Sequence, residues 1–158
     1  MRKIDDIDDV LLRALSTDGR QTVRALAREV SLSEPSVRDR ISRLERDGII
    51  TGYHAAIDPG AIGGDTAAFV AIRTAALDKS VIKDALRADP CVLELHEVAG
   101  EDCLMLKVRA ASTAALAEAL DRFRAIPTVS DTRTTIVLRT VFERSMAPAP
   151  PPAEEPEG

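Results

Sequence analysis

The chain has 158 residues, of which 45% are apolar and 30% are charged, and its formal net charge is −5. This composition predicts a packed globular protein with one ordinary domain or two small ones, and its 2 cysteines are too few for a disulfide framework. No apolar run approaches the roughly 18–20 residues that span a bilayer, and the N-terminus lacks the apolar segment of a signal peptide. We therefore expect a soluble cytoplasmic protein without membrane contact.

The first 50 residues contain three helical patterns. Residues 5–17 repeat apolar side chains at helical spacing, and the aspartates of the first turn suit the helix dipole. Thr22 can cap a second helix, and Ser33 can cap a third helix that stops at Asp47-Gly48. Because only Ser31-Leu32 separates the second helix from the third, the two are predicted to form a helix-turn-helix.

The pattern changes after this helical region. Residues 49–54 are predicted to form a short strand or wing, and the Pro- and Gly-rich residues 58–64 indicate a linker. Four strands follow, interrupted by two helices. The strands are predicted at 66–75, 91–99, 103–110 and 131–142, and the helices at 79–88 and after Ser112. The order is βαββαβ, which is the ferredoxin-like split pattern.

These elements predict an α+β protein with an N-terminal winged helix-turn-helix domain and a C-terminal βαββαβ domain. The predicted boundaries are 1–50 for the first domain, 51–64 for the strand and linker, and 65–144 for the second domain. Residues 145–158 are rich in Pro and Glu, so we expect a disordered tail there.

The third helix concentrates positive charge. Residues 20–46 contain seven arginines and four acids in a chain that is acidic as a whole. At about 100° per residue, Val37, Ile41 and Leu44 face the core, which leaves hydroxyls and guanidiniums on the other faces. Such groups can contact base edges and phosphates. The predicted DNA-contacting residues are Ser33, Ser36, Arg38, Asp39, Arg40, Arg43 and Arg46.

Two interpretations of these arginines are open. A solvated amphipathic helix with Arg–Glu pairs would explain them for an isolated helix. A positive face on a helix-turn-helix instead favours binding to double-stranded DNA. In that case we expect Ser36, Arg40 and Arg43 at the major groove, and Arg38 and Arg46 nearer the phosphates.

The strands of the second domain are apolar on both faces. Leu104 and Leu106 point one way, whereas Cys103 and Met105 point the other way. A βαββαβ unit has only two helices, and both cover the same face of its sheet, so the other face needs a cover. A second copy of the sheet is the natural cover, and we therefore expect at least a homodimer.

Several motifs resemble one known family. The stretch DDIDDVLLRALSTDGRQTVRALAREVSLSEPSVRDRISRLERDGIITGYHAAIDPGAIG resembles the winged helix-turn-helix of Lrp/AsnC transcriptional regulators, also called feast/famine regulatory proteins. The later motifs VAGEDCLMLKV and VSDTRTTIVLRTV resemble the effector-binding RAM domain of that family. The resemblance covers residues 4–143. Ser31 departs from the pattern because many members have glycine in this turn, so we expect a slightly strained turn.

The resemblance implies a sequence-specific DNA-binding regulator whose binding or assembly responds to an amino acid or a related small metabolite. It also implies a homodimer that assembles further to tetramers or octamers. The implied effector-binding residues lie in a hairpin and on the last strand: Gly100, Glu101, Asp102, Cys103, Thr134 and Thr135. An ordinary Gly/Asp turn is the alternative interpretation of the hairpin. Many relatives have an aromatic residue where Asp102 stands and an acid where Cys103 stands, which leaves the ligand open.

A metabolite-sensing or haem-related enzyme on the same architecture is the alternative function. The few enzymes that resemble this family use histidines near a tetrapyrrole, and this chain has only His54 and His96. The sequence also lacks paired-cysteine metal spacing, a nucleophile elbow and a phosphate-binding loop. It therefore predicts neither enzymatic activity nor a metal or cofactor.

Overall fold

The structure is a computed structural model that describes residues 4–75, 77–143 and 148. The tail predicted at 145–158 lies outside the described residues, except for Pro148. The chain splits into two compact units after Ala56, a point inside the segment 51–64, and Phe142 and Glu143 group with the first unit.

The first unit contains helices α1 (Asp6–Thr17), α2 (Val23–Glu29) and α3 (Glu34–Arg46). Each helix begins after a side chain that accepts a backbone N–H of its first turn, and the three caps are Asp5, Thr22 and Ser33. The helices bury a small apolar core that consists of Leu11, Ala14, Leu26, Ala27 and Val37. The three predicted helices are therefore confirmed.

The turn between α2 and α3 has a strained residue. Ser31 has a φ of +53° and is the one non-glycine residue with positive φ in the part of the chain that the structure describes. The N–H of Leu32 donates to the carbonyl of Ala27 at 2.9 Å and closes the turn. Because a Cβ disfavours this left-handed conformation by about 1 kcal/mol, the strain expected at this turn is confirmed.

Residues 49–54, predicted to form a short strand or wing, form no strand within the described chain. Residues 49–58 are all described, and none of them belongs to a strand. A strand needs a neighbour that exchanges backbone hydrogen bonds with it, and this segment has none within the described chain. The Tyr53 hydroxyl instead donates to Glu45 of α3 at 3.0 Å.

Among its described residues, the second unit contains one sheet of four strands and two α-helices. The strands are β1 (Thr66–Thr74), β2 (Val92–Glu97), β3 (Leu104–Ala110) and β4 (Val129–Ile136), and the helices are α4 (Ser80–Ala88) and α5 (Thr113–Arg124). The strand order is β2-β3-β1-β4, and every neighbouring pair is antiparallel. This is the predicted βαββαβ arrangement.

The last strand ends earlier than predicted. β4 stops at Ile136 rather than at residue 142. Its partner β1 starts at Thr66, and the N–H of Val137 already donates to the carbonyl of Ala67. Residues beyond Val137 therefore find almost no remaining backbone of β1 with which to pair.

Both helices of the second unit pack on one face of the sheet. Ile82 and Leu86 of α4 and Phe123 of α5 join one core with alternate strand residues such as Val70 and Leu106. The strand residues that alternate with these core residues point to the opposite side of the sheet. We call this side the open face and define it by Ala67, Phe69, Ala71, Met105 and Lys107. On the open face, Phe69 is 44% exposed.

Candidate nucleic-acid interface and effector hairpin

The outer side of α3 presents polar and positively charged groups to solvent. Ser36, Arg38, Asp39 and Arg46 are exposed. Among the described residues, neither the Arg38 nor the Arg46 guanidinium has a hydrogen-bond or ion-pair partner. At the start of the helix, the hydroxyls of Ser33 and Ser36 lie 2.9 Å apart. Two free guanidiniums and a helix N-terminus with exposed hydroxyls therefore share one surface.

The other two arginines expected at DNA have internal partners. Arg40 Nη1 donates to Asp5 Oδ2 at 2.7 Å and to Asp8 Oδ1 at 2.8 Å. Arg43 Nη2 donates to both carboxylate oxygens of Asp8, at 2.7 and 2.6 Å. Their guanidiniums therefore lie against the first turn of α1, which differs from the expectation that both are free to reach base edges.

We call Asp5, Asp8, Arg40 and Arg43 the α1–α3 ion cluster. Asp8 is only 3% exposed, so its charge is compensated almost entirely by the two arginines. The hydrogen bond from Arg40 lowers the pKa of Asp5 below its usual value, and the same contact raises the pKa of Arg40. Helical periodicity could not reveal this cluster, because its acids and its arginines are 32 to 35 positions apart in the chain.

The hairpin between β2 and β3 contains the predicted effector residues Gly100 to Cys103. Gly100 has a φ of +137°, a conformation that favours glycine, and apart from Gly100 and its two chain neighbours no described heavy atom lies within 4 Å of where its Cβ would be. Cys103 packs against the sheet core, and its Sγ lies 3.5 Å from the carbonyl oxygen of Thr74. Glu101 is exposed, whereas Asp102 is largely buried.

Two arginines that the sequence did not single out contact this hairpin. Arg133 of β4 donates to the Asp102 carboxylate. Arg73 of β1 donates from Nε to the carbonyl oxygen of Glu101 at 3.2 Å, and its Nη2 lies 3.9 Å from Asp102 Oδ1. An arginine in a sheet strand has no distinctive sequence pattern, so only the strand register brings these two to the hairpin.

The structure does not bring the two predicted threonines together. Thr134 and Thr135 are consecutive on β4, so their side chains point to opposite faces of the sheet. Thr134 pairs with Val70, and its buried Oγ1 has no hydrogen-bond partner among the described residues. Thr135 pairs with Phe69 and is exposed on the open face. At most one of them can therefore face a ligand on a given side of the sheet.

The histidines do not form a metal centre within the described residues. His96 is exposed on β2 and lies 3.1 Å from Glu94, which also accepts from Lys107. No group of three or more His, Cys, Asp or Glu residues in the described ranges could hold a metal ion. Within the same ranges, no helix has both the length and the apolar character needed to cross a membrane.

Both halves of the chain match family models. Residues 4–51 match a model described as winged helix-turn-helix DNA-binding, and residues 67–147 match the Lrp/AsnC ligand binding domain. The chain is 43% identical over 142 residues to the HTH-type transcriptional regulator LrpA of Mycobacterium tuberculosis, covering 88% of this chain and 93% of that protein. The chain belongs to the Lrp/AsnC family.

Solved structures agree with this assignment. The feast or famine regulatory protein from M. tuberculosis complexed with L-methionine is 39% identical, with a TM-score of 0.85 and coverage of 93% of this chain and 100% of that chain. E. coli AsnC is 26% identical with a TM-score of 0.85, covering 92% and 99%. This Lrp/AsnC protein is therefore a DNA-binding transcriptional regulator with a ligand-binding domain. Because these relatives are regulators, the enzymatic alternative is not favoured.

Proposed function

We propose that this Lrp/AsnC regulator contacts DNA through α3, and that an amino acid or related small metabolite at the hairpin changes this contact. One observation supports the DNA contact most directly, namely that Arg38 and Arg46 are exposed without a partner among the described residues. Such guanidiniums can neutralise phosphates or bond guanine edges. We propose a cytoplasmic location as well, because a DNA-binding regulator has to reach the chromosome.

The proposed DNA-contacting residues lie on the N-terminal turn and the outer side of α3. They are Ser33, Ser36, Arg38, Asp39 and Arg46, with Arg40 and Arg43 at the edge of this surface. The first residues of a recognition helix commonly reach base edges, and guanidiniums further along the helix reach phosphates.

Charge-removing variants test this surface. Arg38→Gln and Arg46→Gln should each weaken binding to a duplex that the protein itself selects from a random pool. The dependence of log K on log salt should also fall by about 0.9 for each phosphate that is no longer neutralised. The matched control is Arg87→Gln, which removes the same charge from an exposed side chain of α4. Binding by both α3 variants at wild-type strength, with intact folding, would contradict the proposal.

The hairpin is proposed as the effector site because it offers groups of both signs to a small zwitterion. Glu101 and Asp102 can bind an ammonium, whereas Arg73 and the backbone N–H groups of the loop can bind a carboxylate. The similar M. tuberculosis protein was solved with L-methionine, which supports amino acids as the first class to test.

Calorimetry with L-methionine and the other common amino acids tests the hairpin. Gly100→Asp should abolish binding because the side chain strains the turn and fills the space beside the loop. Gly63→Asp is the matched control, since Gly63 also has positive φ and open space but lies outside the hairpin. If both variants bound the amino acid equally well, the effector site would lie outside the hairpin. A bound effector should change DNA affinity by about 5- to 150-fold.

A homodimer is proposed from the open face of the sheet. Phe69 is half exposed there beside Ala71 and Met105, and a second copy of this face would remove that apolar surface from water. A two-fold dimer also supplies two α3 helices for the two halves of a pseudo-palindromic site. The hairpin lies at one end of the sheet, where dimers could meet to form tetramers or octamers.

Met105→Asp tests this assembly. The unpaired charge should dissociate the oligomer at micromolar concentration, which light scattering can follow. Val81→Asp is the control, because it places the same charge on an exposed residue of α4 away from the open face. A wild-type protein that remains monomeric at this concentration would contradict the proposed dimer.

A further inference from the structure

The α1–α3 ion cluster gives Arg40 and Arg43 a role inside the first unit. Asp8 is buried, and three hydrogen bonds from the two guanidiniums surround its carboxylate at 2.6 to 2.8 Å. If both guanidiniums moved to a DNA phosphate, a buried carboxylate would remain without a positive partner, which is unfavourable. The arrangement therefore favours arginines that stay on α1 when DNA binds.

The charge of the cluster leads to the same conclusion. Arg40 Nη1 donates to both Asp5 and Asp8, and Arg43 pairs with Asp8. The two carboxylates and two guanidiniums therefore form one group without net charge. Such a group exerts little attraction on a phosphate. Arg38 and Arg46, by contrast, have no ion-pair partner among the residues described. Arg38 and Arg46 are therefore the arginines of α3 whose charge is not held in an ion pair among the described residues.

We propose that Asp5 and Asp8 are positioning residues for DNA binding. They hold Arg40 and Arg43 on the first turn of α1, so that these arginines set the placement of α3 and do not contact DNA. The phosphate contacts of α3 then belong to Arg38 and Arg46. This inference rests on the proposed DNA contact through α3 and divides the predicted arginines into two groups with different roles.

The salt dependence of DNA binding separates contact from positioning. Binding of the full chain to a fluorescently labelled mixed-sequence duplex of about 30 base pairs can be followed by fluorescence anisotropy. Titrations between about 50 and 200 mM salt then give the slope of log K for DNA binding against the logarithm of the salt concentration. Arg46→Gln should reduce that slope by about 0.9 per chain, because one phosphate is no longer neutralised. Arg40→Gln should lower affinity at the wild-type slope, and Arg40→Lys should restore affinity because a cation again lies beside both carboxylates.

A paired substitution controls for unfolding. Asp5→Asn combined with Arg40→Gln removes one acid and one base, leaves the Asp8–Arg43 pair in place, and keeps an N-cap acceptor on α1. We expect this double variant to bind with the wild-type slope. Asp8→Asn combined with Arg43→Gln examines the buried half of the cluster, with the same expectation.

Three results would overturn the proposal. A slope that falls in the Asp5→Asn/Arg40→Gln variant as much as in Arg46→Gln would show that Arg40 contacts a phosphate. The second result uses nuclear magnetic resonance of the wild-type protein. If adding the duplex shifted the Nε–H signals of Arg40 and Arg43 as much as that of Arg46, these two arginines would contact DNA. If wild-type protein showed no salt-dependent binding, the α3 interface itself would be refuted, and this inference with it.

Discussion

Removal of the charge on Asp8 should destabilise the first unit strongly. Asp8→Asn keeps the size of the side chain but leaves Arg40 and Arg43 without the carboxylate they share. A hydrogen bond to a charged group contributes about 1.5–3 kcal/mol, and loss of one partner of a buried pair costs about 3–5 kcal/mol. Both arginines are about one quarter exposed, so hydrogen bonds to water can replace part of the lost interaction energy. We therefore expect the free energy of unfolding to fall by about 2–3 kcal/mol.

Urea unfolding, followed by circular dichroism, measures this loss as a change in the free energy of unfolding. The matched control is Asp6→Asn, which removes an exposed carboxylate from the same first turn. That control should lose only the helix-dipole contribution of about 0.3–1 kcal/mol. If Asp8→Asn and Asp6→Asn changed the free energy of unfolding equally, the buried ion pairs would not stabilise this unit and the reasoning would be refuted.

Three further predictions concern single side chains. Ser31→Gly should stabilise the first unit by about 0.5–1 kcal/mol in urea unfolding, because glycine adopts the positive φ of this turn without a Cβ. Hydrogen bonds from Arg122 lower the pKa of Asp89 from 3.8 to about 2, so this pair stabilises the second unit above about pH 4. The stability difference between wild type and Asp89→Asn should therefore shrink as the pH falls from 4 towards 2 in an acid titration, and a constant difference would contradict the pairing. Burial, together with the nearby Asp89, raises the pKa of Cys91 to about 12, so iodoacetamide at pH 8 should label this thiol far more slowly than a free cysteine.

Local patterns were enough to predict most of the secondary structure. Apolar spacing and capping side chains indicated α1, α2 and α3, and the alternation of strands and helices indicated the βαββαβ order. These signals depend on neighbours within a few positions, which a sequence displays directly. The absence of a strand at 49–54 and the early end of β4 have one cause. A strand exists only where another strand pairs with it, and local patterns do not show where such a partner exists.

The candidate sites divide in the same way. The sequence by itself determined the family, the helix that concentrates arginine and the hairpin with glycine at its tip. Only the tertiary structure decided which arginines have partners: Arg40 and Arg43 lie on α1, whereas Arg38 and Arg46 remain exposed. Strand register alone brought Arg73 and Arg133 to the hairpin. The physical reason is that helical periodicity specifies the direction of a side chain, whereas its partner is specified by the packing of distant segments.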